Sequence, residues 1–128
     1  MREAIRKYAL DSLSAAYAPY SEFKVGAALL STTGEVFRGC NVENVSLGLT
    51  MCAERVALGA AVLSGATSFE RLAIAADSTE PIVPCGACRQ VLAEFCPDLQ
   101  IVSVTVGGKI EEFSLATLLP RPRQGILE

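Results

Sequence analysis

Two stretches of this chain place a cysteine at the start of an apolar helical pattern, with a short strand-like run between them. They read CAERVALGAAVL (52–63) and CGACRQVLAEF (85–95), separated by RLAIAAD (71–77) and the loop STEPIVP. A further apolar run, QIVSVTV (100–106), follows Pro97. Upstream, FKVGAALL (23–30) and VFRGCNV (36–42) flank TTGE, which predicts a β-hairpin with Gly34 in the turn. Strand–helix–strand–helix–strand requires parallel strands covered by helices, and the opening hairpin makes the sheet mixed. The expected fold class is α/β, a three-layer α/β/α with a mixed central sheet. A length of 128 residues suits one domain, residues 1–128, with one core.

Ile5, Tyr8, Ala9, Leu13, Ala16 and Tyr17 recur at helical spacing, so a first helix is expected over 2–17, ended by Ala18-Pro19. Residues 44–50 read as loop. Gly65 suits the position after the end of the 52–63 helix. Gly107-Gly108 marks a turn into a short strand, IEEF (110–113), and Ser114 suits the cap of a last helical turn before Pro120.

Composition narrows the partners. Hydrophobic residues make up 51% and mean hydropathy is +0.38, yet no apolar run approaches the ~20 residues of a membrane span. The surplus lies in Ala, Val and Leu, and is expected to be buried between subunits. The charged, amphipathic start MREAIRKYALDSL lacks a secretory signal's apolar centre, so a cytoplasmic, reducing compartment is expected. Five cysteines there, an odd number, do not suggest a disulfide framework. Net charge is −3, and the basic clusters (Arg2, Arg6, Lys7 and Arg121, Arg123) interleave with no aromatic groove. That argues against nucleic acid and for a small molecule. The chain has no histidine, which excludes Ser-His-Asp and Cys-His machinery and HExxH zinc sites. Proton transfer would fall to a carboxylate, Lys, Tyr or Cys.

The cysteines admit several readings. Cys85 and Cys88, three apart on a helix, share a face and can reach one cation. A CxxC beside a βαβ pattern also suits a thioredoxin-like redox centre, which would leave Cys52 and Glu54 idle. Cys40, Cys52, Cys85 and Cys88 could close a structural zinc site. Cys96 reads as a small buried hydrophobe. A catalytic metal site needs three thiolates, an open fourth position and a proton carrier. Cys52, Cys85 and Cys88 supply the three, each in a first helical turn where unpaired N–H groups favour anions. Glu54 lies two residues past Cys52, in the same turn. Cys52-Ala53-Glu54 with Pro84-Cys85-Gly86-Ala87-Cys88 follows the pattern of zinc deaminases, and the catalytic-zinc reading is favoured on that convergence.

The chain also resembles the small, bacterial-type cytidine deaminases, through AYAPYSEFKVGAAL (16–29), GCNVENVSLGLTMCAER (39–55) and PCGACRQVLAEF (84–95). The resemblance implies zinc-dependent hydrolytic deamination of cytidine and deoxycytidine in pyrimidine salvage, by a homotetramer whose sites are completed across subunit contacts. It implies Cys52, Cys85 and Cys88 as Zn²⁺ ligands and Glu54 as the proton shuttle. Three thiolates and Zn²⁺ leave one negative charge, and the resemblance makes Arg55 the group that offsets it by hydrogen-bonding the sulfurs. Substrate contacts are implied at Phe23 (base), at Asn41 and Glu43 (ribose hydroxyls) and at Ala53. Asn41 and Glu43 share parity, so an extended segment points both to one side. Asn41 could instead simply shape the turn after its strand.

Two positions depart from the family pattern. Leu47 stands where Tyr is usual, and Leu118-Leu119-Pro120 runs into RPRQGILE without a following aromatic. The pocket is expected to be roomier, or closed by Leu47, Ile126 or Leu127. A deaminase of a related or modified aminopyrimidine nucleoside is therefore the second expectation. A structural-zinc or redox module is the alternative from another class.

Overall fold

Alternation of side chains along the strands sorts this core into two halves, one for each face of a single sheet. The computed structural model describes residues 4–123. Along the chain it contains α1 (Ala4–Leu13), β1 (Val25–Ser31), β2 (Val36–Cys40), a 3-10 turn (Leu47–Leu49) and α2 (Ala53–Leu63). Then follow β3 (Phe69–Ala76), α3 (Gly86–Ala93), β4 (Gln100–Thr105), β5 (Ile110–Ser114) and α4 (Leu115–Leu118).

The strand order is β2-β1-β3-β4-β5. β1 is antiparallel to both β2 and β3, β3 is parallel to β4, and β5 is antiparallel to β4. Consequently β2, β3 and β4 run one way, with β1 inserted against them. The expected mixed sheet is present, and α2 and α3 both begin where same-direction strands end. Val25, Ala27, Leu29, Leu72, Ile74 and Ile101 face α2 and α3. Ala28, Leu30, Ala73, Ala75, Val102 and Val104 face Ile5 and Ala9 of α1. This is the three-layer α/β/α arrangement.

Local differences from the sequence expectation have identifiable causes. The first helix stops at Leu13, short of residue 17, and residues 2 and 3 lie outside the described part. Beyond Leu13 the N–H groups of Ala15 and Ala16 turn to the carbonyls three residues back. Tyr17 is claimed by the next segment, donating to Asn41 O at 3.0 Å and accepting from Glu43 N–H at 2.8 Å. β2 ends at Cys40, after which Val42 makes isolated bridges to Tyr17 and Met51. α3 ends at Ala93, so Cys96 lies past the helix, half-buried rather than buried, with its Sγ 3.5 Å from Phe69 O. The last turn of α2 closes as expected, with Gly65 at φ 92° donating to Val62 O and Ala66 donating to Ala61 O. Ser114 caps α4, accepting from Ala116 N–H at 3.3 Å.

Two glycines let helices approach the sheet closely from opposite sides. A Cβ on Gly26 would lie 2.1 Å from Ala9 O of α1, and one on Gly39 would lie 2.3 Å from Ala53 O of α2. Both clashes are with backbone, so no side chain can rotate away. Gly39 thereby sets how deeply the first turn of α2 sits. Gly39→Ala is expected to cost at least about 1–3 kcal/mol through overpacking. A denaturant-unfolding midpoint equal to wild type would contradict that close approach.

Candidate active site

Cys52 and Cys85 occupy equivalent places, each the capping residue just before a helix. Both are extended (ψ 150° and 167°), and neither side chain makes a capping hydrogen bond. Their carbonyls accept the first helical bonds, from Val56 N–H and Arg89 N–H. Cys88 lies in the first turn of α3. Because α2 and α3 start side by side, the three sulfurs lie within 4.8 Å of one another, with Cys52 Sγ and Cys85 Sγ 3.8 Å apart. Zn–S bonds of ~2.3 Å in a tetrahedron require sulfurs about 3.8 Å apart. The donor set fits a tetrahedral zinc ion with one position open. Cys40 is not part of this group, which removes the closed four-cysteine site. It lines a separate cavity with Ser12, Ala15, Arg38, Gly39 and Val56.

The electrostatics also call for a cation. Burial pushes the Cys88 thiol well up, reinforced by the negative charge of Glu54 and by the neighbouring Cys52 and Cys85. Burial would raise Cys85 too, but hydrogen bonds from the Cys88 backbone N–H and from the Cys88 and Cys52 thiols outweigh it and hold that thiol low. Glu54 is 4% exposed. Burial raises its carboxyl, opposed by its own N–H, a hydrogen bond with Cys88 and the charge of Arg55. Glu54 therefore sits against the cluster, as its spacing from Cys52 predicts. Arg55 donates through Nη2 to Cys52 Sγ at 3.5 Å and to Thr50 O at 3.1 Å.

The segment expected to contact substrate is joined to this centre by backbone. Val42 and Met51 exchange both N–H···O bonds at 2.9 Å, placing residues 41–43 beside the approach to Cys52. Asn41 and Glu43 are buried while Val42 between them is exposed, as their shared parity requires. Their polar atoms are already engaged. Asn41 accepts from Val25 N–H at 2.9 Å and donates to Phe23 O at 2.8 Å. Its amide keeps a second N–H and further acceptor capacity. Glu43 accepts from Tyr20 N–H, Ser21 N–H and the Ser21 hydroxyl, which together hold its carboxyl low, the hydroxyl most strongly. Ser21 Oγ also accepts from Phe23 N–H at 3.0 Å, so one short network fixes the loop bearing the half-exposed Phe23 ring. Ala53 is fully buried at the first position of α2.

Leu47 is 65% exposed in its 3-10 turn and closes no pocket among the described residues, while Ile126 and Leu127 lie outside them. Sequence reasoning missed three partners: the Thr50 carbonyl that receives Arg55, the Ser21 hydroxyl, and Arg89, which donates to Pro84 O at 2.8 Å. Only Arg89, adjacent to Cys88, carried any positional signal.

Residues 1–104 match the model of the cytidine and deoxycytidylate deaminase zinc-binding region. The chain is 48% identical over 120 residues to the cytidine deaminase of Halalkalibacterium halodurans, covering 93% of this chain and 91% of that one. It is 53% identical over 106 residues to the cytidine deaminase of Sporosarcina psychrophila, covering 82% and 78% respectively. Among solved structures, cytidine deaminase from Burkholderia pseudomallei superposes with a TM-score of 0.90 at 46% identity, covering 94% of this chain and 97% of that one. The family model spans both cysteine motifs, and the chain belongs to the cytidine and deoxycytidylate deaminase family.

Proposed function

We propose that this protein is a zinc-dependent cytidine deaminase, converting cytidine and deoxycytidine to uridine and deoxyuridine with release of ammonia. The observation that carries the reading is the three-sulfur cluster with Glu54 buried against it. Neither a redox pair nor a structural zinc site requires that carboxyl. Cys52, Cys85 and Cys88 would hold the metal. Zinc, when bound, supplies a water activated for attack at neutral pH.

Glu54 carries the protons. It takes one from the attacking water and delivers it to ring N3 as C4 becomes tetrahedral. It then takes the proton of the new hydroxyl and gives it to the amino group, so that ammonia leaves and the C4 carbonyl forms. Water is consumed, and the carboxylate is regenerated. Burial favours this double duty, because raising the carboxyl's pKa brings it nearer the working pH. Arg55, on Cys52 Sγ, draws negative charge from the sulfur that faces it. That offsets the third thiolate, which would otherwise weaken the metal's pull on water.

Asn41 and Glu43 take the ribose hydroxyls with their remaining hydrogen-bonding capacity and Phe23 packs on the base, while Ala53, fully buried, supports Cys52 and Glu54 on either side of it. The assembly is a homotetramer, working in pyrimidine salvage in the cytoplasm. In support, Tyr17, Tyr20, Val45, Leu47, Leu49 and Met51 are all exposed around the site. No helix among the described residues is long and apolar enough to cross a membrane.

Ammonia release from cytidine, deoxycytidine, 5-methylcytidine, adenosine and free cytosine tests the substrate class directly. Turnover of the first two is expected, and preference for 5-methylcytidine would favour the modified-nucleoside reading. Glu54→Gln is expected to keep fold and zinc while cutting turnover by at least ~10²–10⁴; an active variant refutes the mechanism. Arg55→Ala is expected to keep zinc and lose roughly 10–100-fold in turnover, and unchanged kinetics would remove its assigned role. Sedimentation at micromolar concentration should show a tetramer, whereas a monomer would contradict the assembly.

A further inference from the structure

The loop from β3 to α3 has no regular secondary structure, yet it delivers the Cys85 sulfur to 3.8 Å from the Cys52 sulfur. Its last residue before the cysteine, Pro84, is fully buried and has no N–H with which to anchor itself. Its carbonyl is held by one side chain. Arg89, half-buried on α3, donates through Nε to Pro84 O at 2.8 Å and through Nη1 to Leu118 O at 3.3 Å. The Pro84 carbonyl belongs to the peptide unit that enters Cys85, and the Cys85 carbonyl is itself held by Arg89 N–H, so both peptide planes around the Cys85 Cα are fixed and the Cβ that carries the sulfur is aimed. The other end of the tie is firm as well. Leu115 of α4 is fully buried, and its N–H donates to Leu99 O at 2.9 Å. Gln90 to Pro122 O (3.0 Å) and Glu94 to Arg123 (3.5 Å) keep the next residues on the same helix.

We propose that Arg89 is a positioning residue for the metal centre, clamping the Pro84 carbonyl to the end of α4 and thereby setting the Cys85 thiol. A rigid guanidinium fork spans two carbonyls at once, which a lysine ammonium on a flexible stem does not reproduce. The tie acts on Cys85, whereas Arg55 bonds Cys52 and also reaches Cys88. The inference rests on Cys85 being a metal ligand.

Zinc competition against a chromophoric chelator, with Arg89→Gln and Arg89→Lys beside wild type, tests it. Zinc affinity is expected to fall by about 10–100-fold in Arg89→Gln, the range for groups that orient metal ligands, with an intermediate loss in Arg89→Lys. KM should stay at the wild-type value. The thiolate-to-cobalt charge-transfer band of the Co²⁺-loaded protein should weaken as Cys85 is released from its position. A merely structural arginine would lower the unfolding midpoint of the metal-free protein while leaving affinity and band alone, and that result overturns the proposal. Should Arg89→Gln fail to fold, wild-type zinc affinity in Arg89→Lys overturns it equally. Wild-type protein that binds no zinc would instead refute the metal reading itself.

Discussion

Holding the sulfurs of Cys52, Cys85 and Cys88 within 4.8 Å of one another beside a buried carboxyl gathers four groups that all become negative on ionisation. Burial and mutual repulsion keep the Cys88 thiol from ionising unaided. Three local sources of positive potential are available: the starts of α2 and α3, the Arg55 guanidinium, and a bound divalent cation. The first two are built into the chain, and they are not enough for three thiolates. Folding of this end of the molecule and metal binding are therefore linked, each favouring the other.

The sheet order follows from the need to bring two helix starts together. With β1 inserted between β2 and β3, the strands leading into α2 and α3 run the same way and end on the same side. Gly39 lets α2 sit directly on β2, with Ala53 O against a position where no Cβ fits. From β2 the chain leaves through Asn41, bridges to Met51, and returns one residue later at Cys52. Residues 41–43 and the first thiol are thus two sides of one short loop, and a shift in either moves the other.

Much of this was legible because it is written in periodicity and spacing. The strands, the hairpin, Gly65 past the end of α2 and the Ser114 cap each have a local signature. So do the thiols, since two residues from Cys52 to Glu54 and three from Cys85 to Cys88 decide which side chains share a helical turn. What escaped was decided by distant backbone. Residues 14–17 carry a helical pattern, but Tyr17 pairs with residues 41–43 and the pairing wins over propensity. The acceptors for Arg55 and Arg89 are the carbonyls of Thr50 and Pro84, and every residue has a carbonyl. Asn41 looked like a free amide for ribose or a turn former. It is already bonded to both Phe23 and Val25, so organising that loop is part of its work.

The apolar rim around the centre bears on the chemistry as well as on assembly. Val45, Leu47 and Leu49 are 77%, 65% and 69% exposed, in the segment that runs directly into Cys52. Scattered exposed leucines mean little, but three large apolar residues within five positions beside a polar centre are different. Left open, that centre would stay wet, and water would weaken the field that Glu54 and Arg55 exert on a bound nucleoside. A second copy of the chain laid over it, as in the proposed tetramer, would remove the apolar surface and the water together. In the proposed assembly, one contact would then both stabilise the oligomer and sharpen the site. Leu47 suits this arrangement because an aliphatic side chain can be buried without leaving a hydroxyl in need of a partner.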